Sequence, residues 1–381
     1  MRSESSDPGG DRIMSRICIT LLLASALVGA GSAQDGTWVG KRVLMKATNV
    51  QLLDSGRKAI QDGLPLDVDS LKVVAEKDGR IQIEDFRGIV GWVKKDDTVL
   101  STEALGYFSE RIRRDSKDAD AFVGRARSKV SNGEFDTAID DMTSAIGLEP
   151  KCVEFYLYRA HIHSHSGKHE MACKDYSHAI RLDPKNVHAL TERGQAWRYQ
   201  KEYDKAIADF SAAIRLAPKG DLYNFRAIMW DLKKDYGKAI ADLSEAIMLE
   251  RRSVYYTNRG SCYVANKEYQ KALQDYDDAE KLDPKRPWTY AGRAKLLATC
   301  ADAKFRDGKR AVVDANKAFD LNKYPEGDIA EALAAAYAEV KNFEEAVRWQ
   351  KRALDDANLK NDEGARRRLE LYKKMQPYRQ E

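Results

Sequence analysis

Residues 187–218 read VHALTERGQAWRYQKEYDKAIADFSAAIRLAP, and this stretch decides the fold. Ala206, Phe210 and Ala213 stand at spacings of four and seven, which share one helix face. The small residues on that face let a neighbouring helix approach closely. Pro218, twelve residues after Ala206, marks a point where the helix must already have ended. Trp197, nine residues before Ala206, marks a preceding helix.

Working outward, the same Ala recurs at 104, 138, 172, 206, 239, 272, 311 and 346, with successive steps of 34, 34, 34, 33, 33, 39 and 35 residues. A fixed period near 34 means stacked two-helix units. The second small residue returns as Ala145, Ala179, Ala246, Ala279, Ala318 and Ala353, and the bulky one as Met142, Tyr176, Leu243 and Tyr276. Pro150, Pro184 and Pro284 repeat the stop, with Arg251 in its place once. His163, Trp230, Tyr263 and Tyr337 mark the other first helices.

This pattern resembles the tetratricopeptide repeat over about 260 residues. The resemblance implies a mainly α, right-handed solenoid of seven repeats at residues 119–360. A connecting half-repeat helix (Glu103 to Arg114) lies within residues 101–118, and a capping helix (Asp362 to Met375) lies within residues 361–381. The sixth repeat departs from the pattern: Ala311 arrives about five residues late, so its helices or the turn between them should be longer. That segment, with Leu333-Ala334-Ala335-Ala336-Tyr337-Ala338 and the end Pro377-Tyr378-Arg379, resembles a tail of repeat proteins from Planctomycetes-type bacteria.

Ahead of the repeats lie two further segments. Ile17 to Val28 is an apolar run preceded by Arg16 and followed by Gly29-Ala30-Gly31-Ser32-Ala33, the layout of a cleavable secretory signal over residues 1–33. Cleavage after Ala33 would leave Gln34 first, and a start at Met14 would shorten the basic region to a normal length. Residues 34–100 read as β: Trp38 to Met45, Leu71 to Ala75 before the turn Lys77-Asp78-Gly79, the alternating Arg80 to Ile83, and Gly88 to Val93. Short strands and tight turns over this length suggest a small barrel. The closing Gly91-Trp92-Val93-Lys94 resembles the last strand of bacterial SH3-like domains, with Gln61 to Asp69 as the irregular loop.

Of 381 residues, 33% are charged, yet 64 Lys plus Arg nearly balance 60 Asp plus Glu, for a net charge of +4. That balance argues against a nucleic-acid binder, which would carry a basic excess. Part of the charge follows the period. Arg125, Arg159, Arg193, Arg226 and Arg259 stand thirteen residues before the Ala, with Arg293 in the lengthened unit. Asp141, Asp175, Asp209, Asp242, Asp275 and Asp314 stand three residues after it. The final repeat has Leu333 and Trp349 at these places, so both charges vanish together. Pairing to the next repeat would strand Arg125 and Asp314, which favours ion pairs within each helix hairpin.

No phosphate-binding glycine loop, nucleophile elbow or HExxH occurs, and no cofactor or enzymatic activity is expected. Cys152, Cys173, Cys262 and Cys300 show no C-x-x-C spacing and are expected as buried free thiols. Four of six histidines fall in residues 161–169. His163 and His169 occupy repeat slots, which leaves His161 and His165 as two metal candidates one turn apart, or as groups titrating near pH 6.5.

The family resemblance implies a concave groove lined by first helices. By register it includes Glu154, Leu157 and His161 in the second repeat, and His188, Thr191, Gln195 and Arg198 in the third. Asp221, Asn224, Ile228 and Asp231 follow in the fourth, then Thr257 and Ser261. The Asn slot of the family's carboxylate clamp carries Arg127, His161, Gln195, Ile228 and Ser261 here, which does not support chaperone-tail binding. The expectation is an exported (periplasmic or extracellular), non-catalytic scaffold that binds a protein or peptide in the groove. A second reading has the barrel anchor the chain to peptidoglycan or a wall peptide. A third, more distant, is a metal- or pH-responsive binder.

Overall fold

The computed structural model describes residues 37–46, 52–53, 59–61, 71–84, 90–322 and 327–380. The signal-like segment, Gly88-Ile89 and all but Gln61 of the expected barrel loop lie outside the described residues. The chain divides into two compact units, one running to Leu216 and one beginning at Ala217.

The first unit opens with seven strands: β1 (Arg42–Met45), β2 (Leu52–Leu53), β3 (Ala59–Gln61), β4 (Leu71–Lys77), β5 (Arg80–Glu84), β6 (Val90–Lys94) and β7 (Thr98–Leu100). They pair antiparallel in the order β3-β2-β6-β5-β4-β1-β7. Asp78 and Gly79 close the β4–β5 hairpin with φ of 53° and 72°, the left-handed conformation that two-residue Asp-Gly turns supply. Alternation then places Ile81 and Ile83 inside with Val43, Leu71, Val73 and Val93. A second cluster, Leu44 and Val99 with Ala104, Phe108 and Ala121, joins the sheet to the helices that follow.

Those helices are α1 (Ser101–Arg114), then the pairs α2 (Ala119–Ser131) with α3 (Phe135–Leu148), α4 (Val153–His165) with α5 (His169–Leu182), and α6 (Val187–Tyr199) with α7 (Tyr203–Leu216). The α1 helix is fixed on both sides. Arg111 donates to the Lys46 carbonyl at 2.6 Å and grips Asp118 through two hydrogen bonds. Phe108 fills the space where a Cβ on Gly124 would lie 2.3 Å from its ring.

The second unit continues the pairing with α8 (Gly220–Leu232) and α9 (Tyr236–Leu249), α10 (Ser253–Ala265) and α11 (Tyr269–Leu282), α12 (Pro287–Thr299) and α13 (Gly308–Leu321), α14 (Gly327–Glu339) and α15 (Phe343–Leu354), and ends on α16 (Glu363–Lys373). The fold is mainly α, sixteen helices among the described residues in a solenoid-like arrangement after a small antiparallel sheet. The periodic residues make the core: Ala138, Met142 and Ala145 have no exposed surface, and Ala206, Phe210 and Ala213 repeat this.

The late Ala311 is explained by the turn, not the helices. The α12 and α13 helices keep 13 and 14 residues, and the additional chain forms a loop with a 3-10 turn at Ala303–Phe305. Asp307 donates back to the Leu297 carbonyl, and Arg306 donates to the carbonyls of Cys300 and Ala301. The chain end docks where α12 runs into this loop: Gln380 N–H donates to the Thr299 carbonyl at 2.8 Å, and Arg379 donates to the Ala298 carbonyl. Glu339 pairs with both Arg306 (3.3 Å) and Arg379 (2.7 Å).

Each periodic Arg meets the Asp of its own repeat through two parallel hydrogen bonds, from Nε and Nη2 to the two carboxylate oxygens. Arg125–Asp141, Arg159–Asp175, Arg193–Asp209, Arg226–Asp242, Arg259–Asp275 and Arg293–Asp314 all do so, at 2.6–2.9 Å. A third contact accompanies the pair. Nη1 reaches the second helix of the preceding repeat: Arg159 to Thr143, Arg193 to Ser177 and Arg259 to Ser244 at 3.0 Å, and Arg293 to Asp277 at 2.6 Å. The guanidinium also faces an aromatic ring three residues earlier in Phe122, Tyr156, Tyr223, Tyr256 and Tyr290.

The hydrogen bonds they donate to their Asp partners raise the pKa of Arg125, Arg193, Arg226 and Arg259 further. Burial pushes the Asp275 carboxyl up against the pull of Arg259, but two charge-assisted hydrogen bonds on one carboxylate favour the ionised pair. Replacing Arg193 with Leu strands the Asp209 carboxylate, which is 5% exposed, and should lower stability by about 3–5 kcal/mol. Adding Asp209→Leu should recover most of that loss. Chemical denaturation of the parent, both single variants and the double variant reads the coupling; additive losses would remove the ladder from the stability account.

Candidate functional site

The residues placed on the first-helix face fall in both units, and each unit is described by itself. In the unit ending at Leu216, Glu154 and His188 are exposed, while Leu157 is partly buried and packs into the core. The Thr191 hydroxyl donates to the Val187 carbonyl of its own helix. His161 and His165 have ring centroids 4.0 Å apart, and His165 Nδ1 contacts the His161 carbonyl at 3.0 Å. Among the described residues, no three His, Cys, Asp or Glu side chains converge as a metal site.

The expected titration near pH 6.5 fails at His161. Burial, with His165 and His188 nearby, drives its pKa down to about 3 and holds the ring neutral. His163 is buried with Nε2 3.8 Å from Asp175, and burial lowers its pKa as well. Three polar atoms on this face are enclosed without a hydrogen-bond partner: His161 Nδ1, Gln195 Oε1 and Arg198 Nε.

In the unit beginning at Ala217, two expected face residues turn inward. Asn224 is 3% exposed and accepts a 2.8 Å hydrogen bond from the Asn258 amide. Thr257 is 4% exposed and meets the Thr289 hydroxyl at 2.8 Å. Both contacts join neighbouring first helices, so these side chains bind repeats to each other instead of facing outward. Asp221 is exposed, accepting from Tyr255 at 2.8 Å and Arg252 at 2.6 Å.

Ile228, Asp231 and Ser261 line one small cavity with Ala227, Leu243, Asn258 and Cys262. Its volume of about 20 Å³ is roughly the room of one water. Asp231 takes only a long contact from the Cys262 thiol, at 3.7 Å. Burial therefore pushes its carboxyl up to about 6. The Asn258 amide belongs to this wall although the register did not point to it; its contact with Asn224, 34 residues away, was the available signal.

Cys152, Cys173, Cys262 and Cys300 are free thiols, the first of them only partly buried. Burial pushes Cys152 and Cys173 up to about 12, which leaves them poor nucleophiles.

Sequence models of the tetratricopeptide repeat match residues 123–186, 187–219 and 253–286. These are tetratricopeptide repeats. Among solved structures, the yeast Tom70 aligns with a TM-score of 0.51 at 21% identity, over 72% of this chain and 58% of that one. The APC/C hetero-tetramer Cut9–Hcn1 aligns at 0.51 and 18% identity, over 71% and 52%. A tetratricopeptide repeat protein from Parabacteroides merdae aligns at 0.48 and 20%, over 64% and 93%. Likeness at these identities concerns the fold alone. No curated protein matches the chain.

Asp231 is a burden to the tetratricopeptide fold at neutral pH. Its folded-state pKa lies above the ordinary 3.8, so the acid's contribution to stability is complete below that value and is lost as pH rises through 6. Asp231→Asn should therefore be more stable than the parent at pH 7.5, by at most about 3 kcal/mol, and equal to it near pH 4. Thermal melts at the two pH values decide this; a gap of the same size at both would show that Asp231 is not protonated in the fold.

Proposed function

We propose that this chain is a non-catalytic scaffold that holds a protein or peptide partner on the first-helix faces of its tetratricopeptide repeats, in an exported compartment. One observation carries the reading. The chain satisfies the buried charges of its six Arg–Asp pairs completely, yet leaves Asp231, Arg198, Gln195 and His161 incompletely satisfied on the first-helix side. Such groups, held at a cost in stability on the first-helix side, point to use in binding. The repeat class supports the same role, since tetratricopeptide repeats generally serve protein–protein interaction. The apolar run Ile17 to Val28 with its small-residue exit supports export.

A second reading treats the N-terminal sheet as an SH3-like module that anchors the chain to peptidoglycan or a wall peptide. The core that Leu44 and Val99 share with Phe108 and Ala121 favours it, because a ligand on the sheet would be held firmly to the first repeats.

Crosslinking the full chain in its native extract should capture a partner that Gln195→Trp with Ile228→Arg reduces about tenfold. Met248→Glu, at an outward residue 78% exposed, should leave capture unchanged. Equal capture by all three proteins would sink the scaffold reading. Mass spectrometry of the mature protein should find Gln34 first, and an intact N-terminus would contradict export by cleavage. Cell-wall sedimentation of the full chain separates the anchoring reading, which predicts that the protein pellets with the wall.

A further inference from the structure

Arg198 differs from the ladder arginines. It sits on α6 with 6% of its surface exposed, its Nε has no acceptor, and no carboxylate among the described residues pairs with it. The ladder arginine five residues earlier, Arg193, is more exposed and yet holds Asp209 through two hydrogen bonds. A guanidinium nitrogen enclosed without an acceptor has given up its hydrogen bond to water and gains from a partner that supplies one.

The side chain is held in place from below: its guanidinium carbon lies 4.4 Å from the centroid of the Tyr199 ring, and Tyr199 is stacked on His169 at 4.4 Å. Gln195 lies three residues earlier on the same helix face and presents Oε1, an acceptor without a donor. His161 occupies on α4 the place that Gln195 occupies on α6, and its Nδ1 is likewise unpaired. The electrostatic neighbours of His161 are His165 and His188, and that of His169 is Arg198; none is acidic.

We propose that the first-helix face of α4 and α6 takes an extended acidic peptide. A Glu or Asp side chain of that peptide pairs with Arg198, while its backbone N–H and C=O groups meet Gln195 and His161. The inference rests on the scaffold reading above and adds the chemistry of the ligand. One unpaired fixed cation beside neutral imidazole and amide groups matches the single charge of a carboxylate; a phosphate dianion would call for more positive charge. Guanidinium and carboxylate meet in a planar fork, the geometry this chain already uses six times in its ladder.

The test uses the full chain and two fluorescein-labelled decapeptides, acetylated and amidated so that neither carries a terminal carboxylate. The peptides share one Gly/Ala/Tyr sequence and differ in three positions that are Glu in the first and Gln in the second. Anisotropy titration should show the Glu peptide binding at least about tenfold more tightly than its twin. Arg198→Gln should erase that difference, and Arg198→Lys should keep part of it. Thermal melts confirm that both variants are folded.

Equal binding of the twins, or a difference that survives Arg198→Gln, overturns the proposal. If both twins bind equally and Gln195→Trp abolishes both, peptide binding stands and the acidic preference falls. If neither peptide binds, the acidic proposal falls, and the crosslinking capture still decides the scaffold reading by itself.

Discussion

A guanidinium in this chain's ladder meets three demands at once: two hydrogen bonds to the Asp of its own helix hairpin, and a third to a hydroxyl or carboxylate on the hairpin before it. Stacked repeats touch only their neighbours, so stability is a sum of hairpin and nearest-neighbour interfaces. Apolar packing of alanines and aromatics is tolerant of small rotations. A planar fork with fixed donors is not, because both N–H···O bonds are satisfied in one alignment only. The ladder therefore adds register to an interface whose energy comes mainly from burial. The aromatic ring three residues earlier completes the setting by covering the face of the cation that no carboxylate reaches.

The two ends of this interaction were legible in the sequence because Arg and Asp repeat with the period and disappear together. The third contact was equally periodic: Thr143, Ser177, Ser244 and Asp277 each stand five residues after the repeat Ala. Ser and Thr on an outer helix face normally signify nothing, so this period carries little weight by itself. The first-helix face is less legible. Register places Asn224 and Thr257 at facing positions, but side chains of that length can turn toward the next first helix and find a partner there, as both do. Whether a polar residue on such a face is satisfied depends on its neighbour one repeat away, at an angle that a linear period does not encode. Asp231 and Arg198 are separable from Asn224 only in three dimensions.

That separation matters for binding. A face whose polar groups all pair with one another has little left to offer a ligand, whereas an enclosed guanidinium or carboxyl without a full partner is held ready at a cost in stability. The cost is bearable because the ladder and the alanine core lie in the same hairpins and fix the backbone that carries these groups. Arg198 shares α6 with Arg193, and Asp231 shares α8 with Arg226. Fixed donors and acceptors lose less entropy on binding than mobile ones, so a rigid ladder and an unsatisfied face are complementary features.

The last repeat shows what happens where the ladder stops. Leu333 and Trp349 stand in place of the ion pair, and the buried charge moves to Glu331, which is 3% exposed and receives Arg368 from the capping helix together with Lys295 at 3.3 Å. The link thus runs from one first helix to the next instead of within a hairpin, which suits a terminal helix that has no second helix of its own. Beyond α16 the chain turns at Met375, and Tyr378 packs against the cluster formed by Ala334, Ala338, Ala346 and Tyr372. Arg379 then reaches Ala298, 81 residues back in sequence. The last turn of α12 supplies the carbonyls, and Arg306 of the widened turn with Glu339 of α14 forms the ionic junction that receives this tail. Two irregularities that look independent in the sequence, a late Ala and an extended end, are the two halves of one contact; a regular sixth repeat would lack the Thr299–Asp307 loop and its Arg306 arm of the junction.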